Sequence, residues 1–218
     1  MALTQITAGG LADDSVDSDA YVNTSIDAAH LASGVGVEGW TKLSTTTASN
    51  SGTVDITSGF SSTYDDYIIV VHDAYPVSDE VELYSRLRIN GSFKSDDNYC
   101  YHVNRSNDDA HTYSGTGTNR TDVCTIITGS WGNQTGEGID GFYYVFNANE
   151  ANRHQKVMWN MVFDGGGGNQ NAVGAKGVGT YQDGSVGAGN MVCSGVQFIA
   201  GSGSNISAGD FILYGLVK

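Results

Sequence analysis

The chain has 218 residues, with 30 Gly, 1 Pro and 12 Tyr, and sets 10 Lys plus Arg against 24 Asp plus Glu. Its net charge of −14 repels polyphosphates and anionic lipid surfaces, which argues against a nucleic-acid partner and against membrane insertion. Poor in helix formers and rich in Thr, Ser, Val and Tyr, it is expected to be one sizeable all-β domain with an extension.

The extension comes first. LADDSVDSDAYVNTSIDAAHL, residues 11–31, places an apolar side chain every five residues at Leu11, Val16, Tyr21, Ile26 and Leu31, and the register runs back to Ile6 and Met1. Five matches neither the ~3.6-residue period of a helix nor the 2-residue period of a strand. Asp13–Asp17 and Asn23–Asp27 align ten residues apart as a repeat, with Ser15 and Ser25 suited to turns or N-caps. Some thirty residues cannot bury such a row alone, so the expected partners are copies of the same segment about a three-fold axis. Ile6, Leu11, Val16, Tyr21, Ile26 and Leu31 are thus the candidate trimer contacts. The competing reading is an acidic, solvated, largely disordered leader, and both hold if the segment orders only on assembly. A coil of pentapeptide repeats is disfavoured, because Asp14, Asp19 and Thr24 occupy positions that want small residues.

MALTQITAGG has no basic start and no apolar run of signal-peptide length, and no stretch approaches the ~18 apolar residues of a spanning helix. The expectation is a protein made and kept in its producing cell until assembly or lysis releases it. Residues 34–39 read as a linker, dividing an attachment segment, 1–36, from a body, 37–218.

The body alternates short apolar runs with Gly, Asn, Asp and Ser. Strands are expected at Thr41–Leu43, Gly52–Ile56, Asp66–His72, Leu83–Asn90 and Tyr99–Asn104, then at Val123–Gly129, Gly141–Asn147, Lys156–Phe163, Met191–Ala200 and Asp210–Val217. With no helical pattern between them, they predict an antiparallel, jelly-roll-like β-sandwich. Tyr67–Val71 is too continuously apolar for an exposed edge and reads as a central strand. In Leu83–Ile89, alternation sends Leu83, Ser85, Leu87 and Ile89 to one face, and Tyr84, Arg86 and Arg88 to a face that is wet or pairs with acids. Asn90-Gly91 is a hairpin turn signal. Residues 164–190, rich in Gly, read as a long flexible loop with some contact role. The last run, 206–217, is expected to close a sheet. Cys100, Cys124 and Cys193 are odd in number and flanked by strand-like residues, which suits free thiols.

Two regions carry a resemblance. LADDSVDS and NTSIDAAHLASG resemble the repetitive segments of bacteriophage fibre proteins. GFSSTYDDYIIVV at 59–71, LYSRLRIN at 83–90 and FILYGLVK at 211–218 resemble the small jelly-roll modules of phage structural proteins. The resemblance implies a homotrimeric virion protein with an N-terminal segment anchored on another virion protein and a C-terminal knob. It leaves tail fibre, capsid decoration protein and head fibre open, and it places the protein on the tail or capsid exterior after assembly in the host cytoplasm. It brings no catalytic residues.

Chemistry is hard to find. Gly174-Ala-Lys176 lacks P-loop spacing, and Gly177-Val-Gly179 opens no helix. Cys100 and His102 supply two ligands where zinc wants three or four, and Asp13-Asp14, Asp96-Asp97 and Asp108-Asp109 match no calcium-loop spacing. No Gly-x-Ser-x-Gly frames a nucleophile, and Glu80, Glu82, Glu137 and Glu150 have no glycosidase signature. The expectation is therefore no enzyme, no cofactor and no metal. Tyr113, Trp131, Asn133 and Tyr181 offer aromatic faces beside amides, a chemistry suited to a host-surface glycan. Aromatics near strand ends that simply cap a core give the same signal. A stand-alone carbohydrate-binding module is the rival from another class.

Overall fold

A computed structural model of the chain describes residues 39–107, 113–134, 136–165, 172–184 and 190–217. The candidate trimer contacts Ile6, Leu11, Val16, Tyr21, Ile26 and Leu31 lie outside the described residues. A compact unit begins at Gly39.

The described body is all-β and antiparallel. The strands are β1 (Trp40–Thr47), β2 (Thr53–Ile56), β3 (Tyr64–Pro76), β4 (Val81–Ile89), β5 (Ser92–Phe93), β6 (Tyr99–Asn107) and β7 (Tyr113–Thr121), then β8 (Cys124–Trp131), β9 (Ile139–Phe146), β10 (Gln155–Asp164), β11 (Ala172–Tyr181), β12 (Cys193–Ala200) and β13 (Ile206–Val217). One sheet has eight strands in the order β1-β13-β3-β9-β10-β11-β6-β7. The second runs β2-β12-β4, and the free edge of β4 is shared by β8 along Val81–Ser85 and by β5 along Arg88–Ile89.

Alternation explains the layering. Along β4, every second residue from Val81 to Ile89 is buried, including Leu83, Ser85 and Leu87. On its other face Arg86 donates to the Asp122 carboxylate at 2.5 Å and to its carbonyl at 3.1 Å, and Arg88 donates to Ser194 Oγ. Asn90 (φ 49) and Gly91 (φ 79) both adopt positive φ, the turn that a two-residue hairpin into β5 requires. β3 lies between β13 and β9, so Tyr67–Val71 is central as its composition requires. β13 is flanked by β1 and β3, which makes β1 the edge strand there.

Between the sheets, Phe198 of β12 meets Tyr143 of β9 edge-on at 5.3 Å and Phe211 of β13 at 5.0 Å, while Tyr143 stacks on Trp159 of β10 at 6.3 Å. Each fully buried Phe contributes roughly 1.5–3 kcal/mol. Polar tips are satisfied: Tyr143 Oη pairs with Ser85 Oγ at 2.9 Å, and Trp159 Nε1 donates to the Ile126 carbonyl at 3.1 Å. Cys124 and Cys193 are buried free thiols, and Cys100 is a partly exposed one. Burial pushes the Cys193 thiol up to about 12 and raises that of Cys124 further.

The expected flexible loop over 164–190 is corrected. Its middle is β11, hydrogen-bonded to β10 from Gln155↔Tyr181 to Asp164↔Ala172 and to β6 from Tyr99↔Tyr181 to Asn107↔Val173. Glycines masked the strand pattern, and they are there because a neighbour needs the room: a Cβ on Gly177 would overlap the Trp159 ring.

Candidate functional site

The four aromatic and amide positions do not assemble into a site. Trp131 and Tyr181 are fully buried, so the expectation that they present faces to a ligand is corrected. Trp131 Nε1 donates to the Ala74 carbonyl at 3.0 Å, and Tyr181 Oη donates to Asp96 Oδ2 at 2.9 Å while its ring packs 5.0 Å from Tyr99. Both rings end strands and close the core, where their polar tips find partners at its rim. Asn133 is exposed, but its amide is committed to the Val77 carbonyl at 2.9 Å. Tyr113 opens β7 opposite Arg105.

The most distinctive surface lies on the outer face of the eight-stranded sheet. Register places Tyr214, Ile68, Tyr144, Met158 and Val178 in one row across five hydrogen-bonded strands, from β13 to β11. The next row brings Ile212, Val70 and Phe142 together and ends on Asn160 and Lys176. Phe142 is 44% exposed and Val178 53%, Val162 one row further on β10 is 54% exposed, and Ile68 in the first row is buried. Trp40 reaches across from β1 to lie 6.4 Å from Tyr144, which stacks on Phe146 at 6.0 Å. The face thus carries an aromatic cluster at one end and aliphatic side chains toward the other. Single exposed apolar residues are ordinary, whereas a contiguous patch marks an interaction surface.

Two shallow depressions mark this face, and Asn160 borders both. One, of about 430 Å³, is lined by Val70, His72, Asp140, Phe142, Val162 and Ile212. The other, of about 370 Å³, is lined by His102, Asn104, Met158, Lys176 and Val178. At the rim of the first, β3 bulges between Val71 and Ala74, with Asp73 at φ 46. Asp140 Oδ1 holds the bulge by pairing with His72 Nδ1 at 2.7 Å and accepting from the Asp73 amide at 3.2 Å.

The hydrogen bond to Asp140, then the charge of that carboxylate, raises the His72 pKa above its ordinary 6.5. The linked stabilisation is present below pH 6.5 and is lost as pH rises through the raised value. An NMR titration should put the His72 midpoint above 6.5, and Asp140→Asn should move it down; equal midpoints in the two proteins would contradict the pairing.

Among the described residues, no group of three or more His, Cys, Asp and Glu converges on a metal-sized site, and no helix is long and apolar enough to cross a membrane. Reading the sequence missed this face. The signal was present in Phe142–Phe146, FYYVF, five consecutive large apolar residues that make both faces of β9 apolar.

Fold and surface together define an antiparallel β-sandwich with an apolar outer sheet face. No protein family, curated protein or solved structure matches the chain.

Proposed function

We propose that this chain is a bacteriophage virion structural protein, a homotrimer attached to another virion protein through its N-terminal segment and presenting residues 37–218 as a knob, as in a short tail fibre or receptor-binding appendage. The observation that carries the reading is the apolar outer face, a surface suited to a subunit of an assembly. The leader's five-residue row of apolar side chains supports it from the other end of the chain.

Connection order supports the finer jelly-roll assignment. From β1 to β4 the chain alternates between sheets, and it does so again from β8 to β9 and from β12 to β13. Setting aside β5 and the hairpins β6–β7 and β10–β11, the sheets reduce to β1-β13-β3-β9 and β2-β12-β4-β8. We read that order as an eight-stranded double Greek key.

Light scattering after size exclusion tests the reading on the full chain and on a chain starting at Gly39. A trimer for the full chain, weakened by truncation, is the expected result; a monomer in both would overturn it. Pull-down with purified capsids against host cells separates capsid decoration from host attachment, and binding to neither sinks both.

The carbohydrate-binding reading keeps one observation, the Phe142 ring beside Asn160 and Asp140 on an open face. It requires a monomer and loss of glycan binding in Phe142→Ala.

A further inference from the structure

We infer that the outer face of the eight-stranded sheet is turned toward the three-fold axis of the trimer, where the half of the face on β13, β3 and β9 packs against the β10, β11 and β6 half of the next copy. The inference rests on the trimer reading and names the surface by which the knobs meet.

Size is the first argument. Five strands about 4.8 Å apart, each contributing some six residues at about 3.4 Å, give a footprint on the order of 500 Å² whose middle rows are mainly apolar. Monomeric proteins seldom leave more than a few hundred Å² of contiguous apolar surface bare. One side of a standard interface covers about 800 Å², so this face supplies a large share of one and leaves the remainder to the leader's own row.

Charge identifies the occupant as a second copy. The whole chain carries −14, and two arbitrary surfaces of it repel each other. This face escapes that bias. Its β13-β3-β9 half presents Asp210, Asp66 and Asp140, the last paired with His72, while the other half presents Lys156 and Lys176 with His102. Lys42 and Asp164 lie at the margins of their halves. Acidic half against basic half pairs opposite charges, and made head to tail, as the trimer reading requires, it closes into a ring around a three-fold axis. A face-on contact that set each half on its own equivalent would juxtapose like charges.

Chemistry disfavours a sugar as the occupant of the centre. The row Tyr214, Ile68, Tyr144, Met158 and Val178 offers two hydroxyls among five side chains, too few polar groups to replace the hydration of a saccharide. An apolar middle with charges around it matches the anatomy of a protein interface.

The test uses the full chain with Cys100→Ser, which removes the partly exposed native thiol. Val178→Cys is compared with Val77→Cys, a position 48% exposed and off the sheet face. Mass is measured by light scattering and thiol labelling by maleimide. The expected result is a trimer in which the cysteine at 178 labels at least roughly tenfold more slowly than the one at 77. A trimer with equal rates overturns this inference and leaves the trimer reading standing. A monomer with equal rates overturns both, and a monomer protected at 178 overturns the second copy as the occupant. In a second variant, Phe142→Glu should move trimer dissociation to at least roughly tenfold higher concentration with an unchanged far-ultraviolet circular dichroism spectrum; an unchanged dissociation overturns the inference as well.

Discussion

Trp131→Ala is expected to cost about 3–5 kcal/mol and to lower Tm by roughly 10 °C. Trp131 ends β8 with its ring fully buried, and its Nε1 donates to the Ala74 carbonyl beside the β3 bulge. Truncation leaves a ring-sized void and an unpaired carbonyl in one step. Thermal melting followed by circular dichroism measures the loss. Asn133→Ala, two residues on, serves as the control: it removes one exposed hydrogen bond and should shift melting little. If Trp131→Ala melted with the wild type, the assignment of this ring to the core would be wrong.

Gly177→Ala should be a costly gain of a single methyl in the sheet. The added Cβ would meet the Trp159 ring on one side and the His102 carbonyl oxygen on the other. Trp159 is locked by its bond to the Ile126 carbonyl and by stacking on Tyr143, and the carbonyl belongs to the backbone of β6. Neither yields cheaply, so the loss should approach the upper end of the roughly 1–3 kcal/mol typical of overpacking. Gly184→Ala, where a Cβ meets nothing within 4 Å, should stay within about 0.5 kcal/mol. Chemical denaturation of both variants decides it: equal midpoints would mean that Trp159 moves aside.

These two positions also show where a sequence is legible. β4 could be read because one face is core and the other polar, so alternation alone fixes its orientation, and Asn90-Gly91 fixes where it turns. Tyr67–Val71 could be read as central because both of its faces meet protein or apolar surface. β11 could not, because Gly177 and Gly179 yield their inward positions to Trp159 and Cys124; the side chain that makes the strand amphipathic is supplied by its neighbours. Trp131 and Tyr181 were legible as important and illegible as buried, since an aromatic beside polar residues reads the same whether it awaits a ligand or closes a core. The outer face was hidden for a related reason. A run such as FYYVF in β9 signals apolar surroundings on both sides and cannot say that one of them is solvent.

The two hairpins that widen the large sheet enter the chain far apart, β6–β7 between β4 and β8, and β10–β11 between β9 and β12. They meet through one unbroken register, nine residue pairs from Tyr99↔Tyr181 to Asn107↔Val173. Exchanging either hairpin alone would break that seam, whereas exchanging them as a pair preserves it, with β10 still held by β9. The two hairpins are therefore constrained to vary together: a change at a seam position in β6 is answerable to its partner in β11, however far apart the two stand in the chain.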